Sequence, residues 1–256
     1  MQVIREPKVY LVGRQNMDQS AVQTFLDDYG LTWQTDTEVG GEQLVEAGGR
    51  ICYLSFGKGR KTNSEYIGNL IGMKHGSVLE HATWDFIFAG VSRSFSHELV
   101  RHRAGFGYSQ ISQRYVDESH AAFVLPPAAA GDPGLEEEWQ RQVSEAQAAY
   151  VRAVDGLMQR YEWIADKVHR RKMAREAARS VLPNATEVKV VVSGNARAWR
   201  TMLELRCGEG AELEIRRMAI AVLRLLQREA GALFSDFEIY VGDDKQEAAR
   251  VTYHKV

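Results

Sequence analysis

The sequence predicts an α+β fold, close to the α/β class, in which helices that include long ones flank a mixed β-sheet. Three observations predict it. Many stretches place apolar residues at spacings of three and four, as amphipathic helices do. Only two longer stretches, 83–91 and 187–192, are rich in β-branched and aromatic residues. No internal repeat divides the chain, so we expect one domain over residues 1–256, with a Pro/Gly linker near 126–134.

The individual elements follow from apolar spacing and from residues that begin or end helices. Pro183 ends one helix, and Asn195 is a natural N-cap for another that runs through Arg206. A glycine-containing loop is expected at 104–107, and a short strand is expected after Phe234. The other predicted strands are 9–12, 83–91 and 187–192, and the predicted helices are 20–29, 41–54, 64–73, 94–103, 139–161, 164–180, 196–206 and 211–230.

Composition narrows the class of protein. Hydrophobic residues make up 45% of the chain, which is ample for a packed core, and the formal net charge is -2. That charge argues against a protein that coats nucleic acid through bulk charge. No apolar run is long enough to cross a membrane, and the amino-terminal residues lack a secretory pattern. Two cysteines, Cys52 and Cys207, cannot form a disulfide framework, so we expect a cytoplasmic protein.

The most informative segment combines Arg101-His102-Arg103 with the run 108–115. Arginine binds phosphate through a rigid, charged fork, and short hydroxyl and amide side chains bind sugars and bases. An isolated basic triplet at a helix end is equally explained by the helix dipole. A need for solubility does not explain the presence of Ser112-Gln113-Arg114-Tyr115 after this triplet, however. The segment therefore predicts nucleotide binding.

A second segment, 73–81, contains two histidines and a glutamate. His75 and His81 are six residues apart, off the spacing of a helical zinc motif, so we expect no metal. Ser77 and Glu80 have the spacing of a helix capping box. The start of such a helix also suits a phosphate group.

Two further segments have ordinary structural explanations as well as functional ones. Glu176 and Arg179 are spaced as a surface ion pair, and so are Arg200 and Glu204. The basic run 169–172 is expected to be a solvated helix face. Nothing near Cys207 would activate its thiol, so we expect a bystander.

In order along the chain, these segments resemble the flavin-dependent thymidylate synthases, the ThyX family. The resemblance covers about residues 9–240 and rests on RHR followed by S-x-R-Y, on H-x-S-V-x-E-H, on E-x-x-R-x-x-L-P, and on N-x-R followed by A-x-x-E-I. It implies a ThyX-like homotetramer whose active sites are shared between subunits. The implied reaction makes dTMP from dUMP, with methylenetetrahydrofolate as carbon donor, FAD as redox relay and NADPH as reductant. We expect the protein to have no nucleic-acid partner and no membrane partner.

The resemblance also implies roles for individual residues. Arg206 would polarise the uracil ring, so that no cysteine nucleophile is needed and Ser112 serves as a ligand. The residues expected to bind dUMP are Glu98, Arg101, Gln110, Ser112, Gln113, Arg114, Arg179 and Arg206. The residues expected to bind FAD are Ser77, Glu80, Arg101, His102, Arg103, Gln110, Asn195, Arg197 and Thr201.

Two alternatives stay open, the first because of three departures from the family pattern and the second because of the mixture of arginine, tyrosine and histidine side chains. Eight residues separate Arg103 from Ser112, one more than usual, and Gly105 and Gly107 are expected to absorb the insertion. Thr201 stands where Asn or His is common, and Gly210 stands where His is usual. One alternative is therefore a nucleotide- or flavin-binding homologue without synthase activity. The other is a module that binds single-stranded nucleic acid, against which the acidic net charge argues.

Overall fold

The computed structural model describes residues 1–256 and confirms a mixed α+β architecture. The strands are β1 (Gln2–Ile4), β2 (Lys8–Arg14), β3 (Thr83–Ser92), β4 (Phe106–Gln110), β5 (Ala122–Val124), β6 (Glu187–Asn195), β7 (Phe237–Val241) and β8 (Glu247–Val251). The helices are α1 (Gln19–Asp28), α2 (Gly40–Tyr53), α3 (Asn63–Gly72), α4 (Arg93–Leu99), α5 (Pro133–Arg160), α6 (Lys167–Ala178), α7 (Ala196–Arg206), α8 (Leu213–Glu229) and α9 (Gly231–Phe234). Short 3₁₀ helices cover Gly76–His81 and Arg179–Val181.

The largest sheet has four strands in the order β2-β3-β6-β4. Strands β1 and β5 pair in parallel, and β7 and β8 form an antiparallel pair. None of the helices combines the length and the apolar character that a membrane span requires.

The chain forms two compact units, each made of three segments. The first unit contains Met1–Lys8, Phe88–Arg101 and Tyr108–Val191, and the second contains Val9–Ile87, His102–Gly107 and Val192–Val256. Strands β3, β4 and β6 therefore each contribute residues to both units. The predicted linker at 126–134 lies in the first unit, where a run of turns leads into α5.

In the first unit, α5 and α6 form a helical hairpin. Asp132 caps α5 by accepting hydrogen bonds from the backbone N–H groups of Gly134 and Leu135, and Pro133 occupies the first turn. Val143 of α5 packs against Phe123 of β5, and both are buried. This packing fixes α5, and through it α6, which is followed directly by the sequence-predicted Arg179.

In the second unit, aromatic residues position the start of α7. The Trp199 ring makes edge contacts with the rings of Phe86 and Phe106, each at a centroid distance of 4.9 Å. Asn195 caps the helix as predicted, since its Oδ1 accepts from the backbone N–H of Ala198 at 2.9 Å. Helix α7 ends at Arg206, as the sequence predicted.

The structure corrects the predicted elements around the RHR triplet. The helix expected over 94–103 runs only from Arg93 to Leu99, and the loop expected at 104–107 already contains the start of β4. Gly105 absorbs the turn by adopting a φ of 75°, a left-handed conformation that favours glycine. The sequence did not predict strand β4, because glycine is uncommon in strands and the stretch 104–107 contains two glycines.

Candidate active site

The two groups of sequence-predicted site residues lie in different units. Most residues expected to bind dUMP belong to the first unit, and most residues expected to bind FAD belong to the second. The exceptions are Arg101 and Gln110, which were assigned to both ligands and lie in the first unit, and Arg206, which lies in the second.

In the first unit, the segment 112–117 is fastened to α6. The backbone N–H groups of Tyr115 and Val116 both donate to the carbonyl oxygen of Ser112, which makes a tight turn. The guanidinium of Arg175 donates to the carbonyl oxygen of Tyr115 at 2.7 Å and to the carboxylate of Asp117 at 2.8 Å. The predicted Ser112 and Arg114 are therefore held next to the last turns of α6.

Arg114 is paired across this junction with Glu176 of α6. Its Nε donates to Glu176 Oε2 at 2.8 Å, and both side chains are about half exposed. The sequence predicted an ion pair between Glu176 and Arg179. In the structure Glu176 pairs with Arg114 instead. The carboxylate turns to Arg114 because Arg175, one residue earlier, fixes the two segments together.

Arg179 is close to a second arginine, Arg93, the first residue of α4. Burial lowers the pKa of Arg93, the charge of Arg179 lowers it further, and Glu118 acts in the opposite direction. Unlike Arg114 and Arg175, neither arginine donates a hydrogen bond to a carboxylate. Two cations held close together favour an anion between them.

Arg93 is a candidate site residue that sequence reasoning missed. The signal was present, because a helix N-terminus is normally unfavourable for a cation and Arg93 begins α4, directly after the Ser92 cap. Glu118 was missed as well. It is buried, with 6% of its surface exposed, and burial raises the pKa of its carboxyl although the charge of Arg93 lowers it.

The remaining predicted residues of the first unit are Gln113, Gln110, Glu98 and Arg101. Gln113 is buried, and its Nε2 has no hydrogen-bond partner, so the site contains a donor that a bound ligand can satisfy. Gln110 ends β4, and Glu98 and Arg101 lie at the end of α4. Tyr108 fastens α4 to β4 by donating to the carbonyl oxygen of Leu99 at 3.1 Å. Burial raises the pKa of Tyr108 to about 12, so its phenol remains a donor at neutral pH.

In the second unit, Arg206 and His102 are in direct contact. Arg206 Nε donates to His102 Nε2 at 2.9 Å, so that nitrogen of the imidazole carries no proton. This contact orients the Arg206 side chain at the end of α7.

Arg197 is the centre of a second group in this unit. Its Nη1 forms an ion pair with Glu80 at 2.7 Å, and its Nε donates to the backbone oxygen of Val256 at 3.3 Å. The hydroxyl of Thr201 donates to the carbonyl oxygen of Arg197, one helical turn away. The structure thus brings together three of the residues that the sequence assigned to FAD.

A cavity of about 340 Å³ opens beside Arg197 and is lined in part by Ser77, Lys74, His75 and Tyr53. The capping box expected here is wrong. Ser77 lies inside the 3₁₀ helix, whose N-terminal residue His75 makes no side-chain cap, and Glu80 pairs with Arg197 instead. A 3₁₀ turn is too tight for the capping geometry of an α-helix. The Ser77 hydroxyl and the cations of Lys74 and Arg197 are suited to a phosphate-bearing ligand.

Comparison with known proteins decides the family. The family model described as thymidylate synthase complementing protein matches residues 35–230. A flavin-dependent thymidylate synthase from Mycobacteroides abscessus is 46% identical over 228 residues, which cover 88% of this chain and 90% of that protein. Another, from Mycobacterium sp. (strain KMS), is 48% identical over 226 residues, which cover 85% of this chain and 87% of that protein. The chain belongs to the flavin-dependent thymidylate synthase family.

A solved structure agrees with this membership at the level of the fold. The crystal structure of the UMP/dUMP methylase PolB from Streptomyces cacaoi, bound with 5-Br dUMP, has a TM-score of 0.67 to this chain. The two are 19% identical, and the match covers 92% of this chain and 96% of the other. The resemblance read from the four sequence segments is therefore confirmed.

The cysteines fit a flavin-dependent thymidylate synthase that uses no thiol nucleophile. Cys207 directly follows Arg206 but is fully buried, and burial raises the pKa of its thiol to about 12. It is therefore protonated at neutral pH, when only a thiolate is an effective nucleophile. Cys52 is exposed and lines the cavity beside Arg197.

Two departures from the family pattern now have a structural description. Thr201 is exposed, and its hydroxyl is bonded to the preceding turn of its own helix, which leaves it a poor substitute for an amide that reaches outward. Gly210 lies in an exposed turn between α7 and α8 and offers no side chain. Neither of these two residues lines the cavity beside Arg197, where Lys74, Ser77 and Arg197 are found.

Proposed function

We propose that the protein converts dUMP to dTMP by reductive methylation, with methylenetetrahydrofolate as carbon donor, FAD as redox cofactor and NADPH as reductant. Family membership defines this reaction class. The structural observation that carries the proposal is the pair Arg93 and Arg179, two neighbouring cations that donate no hydrogen bond to a carboxylate, although the charge of Glu118 acts on Arg93. A nucleotide monophosphate supplies the missing charge as a dianion.

The nucleotide is bound by side chains with distinct tasks. Arg93, Arg179 and Arg114 hold the phosphate through charge-assisted hydrogen bonds. Ser112 and the buried Nε2 of Gln113 donate to the phosphate or the sugar. The remaining expected ligands, Glu98, Arg101 and Gln110, orient the sugar and the base.

Arg206 activates the uracil ring electrostatically. Carbon 5 of uracil is a weak nucleophile, and charge develops on the ring oxygens as that carbon attacks an electrophile. A fixed guanidinium at the oxygen edge stabilises this charge, as an oxyanion hole does. His102 holds the Arg206 side chain in one direction through the bond to Nε, so no reorientation is needed during reaction. With the pKa of Cys207 raised to about 12, attack by a thiolate on carbon 6 is not available.

The second unit contains groups suited to FAD. When bound, FAD supplies hydride transfer from NADPH to the nucleotide. Ser77 and Arg197 line the cavity of about 340 Å³ that suits one phosphate-bearing part of it, and Glu80 orients Arg197. The amide nitrogen of Asn195 remains available because its oxygen caps α7. The other expected contacts come from Arg101, His102, Arg103, Gln110 and Thr201.

A dinucleotide is larger than this cavity, which supports a shared site. We propose that the protein is a cytoplasmic homotetramer in which each active site is assembled from several subunits. No dinucleotide-binding glycine motif holds the flavin within one βαβ unit of this chain. Size-exclusion chromatography with light scattering, with and without FAD, tests the assembly, and a FAD-loaded monomer contradicts it.

Absorption spectroscopy of the purified protein tests the function. We expect a yellow protein whose flavin is bleached by NADPH under anaerobic conditions, at a rate that depends on dUMP. Addition of methylenetetrahydrofolate is then expected to reoxidise the flavin with formation of dTMP. Flavin reduction without dTMP identifies instead a homologue that has lost synthase activity, an alternative favoured by Thr201 and Gly210. A protein that binds neither FAD nor dUMP contradicts the proposal.

A further inference from the structure

We propose that Glu176 is a displaceable counterion for Arg114, which holds the guanidinium when the nucleotide site is empty and releases it when phosphate binds. The inference rests on the proposed function, in which Arg114 is a phosphate ligand. It assigns a positioning and affinity-setting role to a residue that lies in the E-x-x-R segment and whose spacing from Arg179 predicts an ordinary surface ion pair.

The position of Glu176 carries the first step of the argument. Its carboxylate accepts from Arg114 Nε at 2.8 Å. It lies in the last turn of α6, three residues before Arg179, which begins the 3₁₀ helix that follows directly. The charge of Glu176 is therefore bonded to one of the arginines expected to bind phosphate and lies three residues from another, whereas Arg93 and Arg179 donate no hydrogen bond to a carboxylate.

The rigidity of the surroundings carries the second step. Arg175 donates to the Tyr115 carbonyl and to Asp117, so the backbone that carries Arg114 and the helix that carries Glu176 cannot move apart. Lys172 lies over the Tyr115 ring at 5.4 Å and adds a second contact between the same segments. Only the two side chains need to change rotamer for the ion pair to open.

The strength of the ion pair carries the third step. The Arg114 side chain is 38% exposed and that of Glu176 is 46% exposed. Ion pairs at such exposure are weak and are screened by salt. A phosphate dianion is a stronger partner for Arg114 and repels Glu176, so the exchange is favourable. The carboxylate lowers the affinity for the nucleotide because its bond to Arg114 must first be broken.

Glu176→Gln tests this proposal by calorimetric titration of dUMP into the FAD-loaded protein. We expect the Kd for dUMP to fall about three- to fivefold at low salt, the scale of an exposed ion pair. The gain is expected to shrink as the salt concentration rises. Glu138→Gln is the matched control, since it removes the same charge from another exposed arginine pair, with Arg141, and it should leave the Kd unchanged.

Each outcome decides the question. An unchanged or higher Kd in Glu176→Gln overturns the proposal, and a higher Kd identifies Glu176 as a group that holds Arg114 ready for the nucleotide. An equal gain in Glu138→Gln also overturns it, because the effect is then one of net charge. If the wild-type protein binds no dUMP, the proposed function fails, and that result is distinct from a failure of the Glu176 assignment.

Discussion

Arg200 in the second unit and the pair Arg93 and Arg179 in the first unit are held in opposite ways. In the second unit, Arg200 of α7 is buried and forms a two-pronged ion pair with Asp236, with distances of 2.7 and 2.8 Å. It also donates to the carbonyl oxygen of Leu233 and lies over the Phe237 ring at 5.1 Å. In the first unit, Arg93 and Arg179 lie close together without such a partner.

This difference separates structural cations from ligand-binding ones. A buried arginine whose fork is satisfied by the protein contributes to folding, because removal of its partner leaves an uncompensated charge. An arginine that lies near a like charge and donates no hydrogen bond to a carboxylate gains an anionic hydrogen-bond partner only when a ligand binds. The predicted pair between Arg200 and Glu204 is wrong for the same reason. Arg200 points into the core, and Glu204 pairs with His254 at 2.9 Å.

Removal of the buried partner should have the largest effect on stability. Asp236→Asn leaves the Arg200 charge buried and unpaired, and we expect a loss of about 3–5 kcal/mol in the free energy of unfolding. Urea denaturation measures it. The control is Glu247→Gln, which removes the partner of the half-exposed Arg224 and should cost less than about 1 kcal/mol. Equal effects of the two changes would remove the distinction between buried and exposed arginine pairs.

Loss of the Arg206 guanidinium should affect turnover and not cofactor binding. We expect Arg206→Ala to lower kcat by about 10²–10³-fold, the cost of removing one stabilising group from a developing oxyanion. The flavin absorbance of the purified protein should persist, since the residues beside the cavity remain. Steady-state kinetics and the visible spectrum check the two parts. Normal turnover in this variant would exclude Arg206 from the activation of uracil.

The fold was predictable where local signals agree with tertiary contacts. The helix that begins after Asn195 and ends at Arg206 was predicted correctly, because a side-chain cap and an apolar face at helical spacing specify it locally. Strand β4 was not predictable, because Phe106 lies between two glycines and is held in place by contact with Trp199, more than ninety residues away.

The sequence predicted which residues belong to the candidate site, but not which residues form ion pairs with one another. The motifs identified Arg114 and Arg179, whereas the partner of each arginine depends on which segments pack together. Glu80 illustrates this point, because its spacing from Ser77 predicts a cap and the fold instead brings it to Arg197, 117 residues away. Arg93 went unassigned because a single arginine carries no motif, although its place at a helix start was informative.

Removal of the Arg93 charge should affect ligand binding and not stability, in contrast to removal of the partner of Arg200. We expect Arg93→Gln to raise the Kd for dUMP by about tenfold, the value of one charge-assisted hydrogen bond to phosphate. Stability should be unchanged or slightly increased, because burial, the charge of Arg179 and the dipole of α4 disfavour this cation in the empty site, and only the charge of Glu118 favours it. Calorimetric titration and urea denaturation measure the two quantities. Arg141→Gln, on the exposed face of α5, is the control and should alter neither. A loss of stability comparable with that of Asp236→Asn would make Arg93 a structural residue.

The smallest effect should be the pH dependence of stability that two adjacent carboxylates cause, Glu118, which interacts with Arg93, and Asp117, which pairs with Arg175. Burial raises the pKa of Glu118, so the folded state holds that proton at a pH where the unfolded chain has released it. The contribution of Glu118 to stability is therefore lost as the pH rises from the ordinary glutamate value through the raised one. Glu118→Gln should be more stable than the wild type at neutral pH, and the difference should vanish in acid.

Asp117 supplies the control of opposite sign. Burial opposes ionisation there too, but hydrogen bonds from Ser119 and the charge of Arg175 lower the pKa of its carboxyl. Its contribution is present above the ordinary aspartate value and is lost as the pH falls through the lowered one. Asp117→Asn should therefore be less stable than the wild type at neutral pH and equal to it in acid. Urea unfolding of both variants from acid to neutral pH measures how the free energy of unfolding of each one changes with pH. If both variants deviate in the same direction, the charge of Arg93 outweighs burial at Glu118, and the first unit holds a structural ion pair where we place a phosphate site.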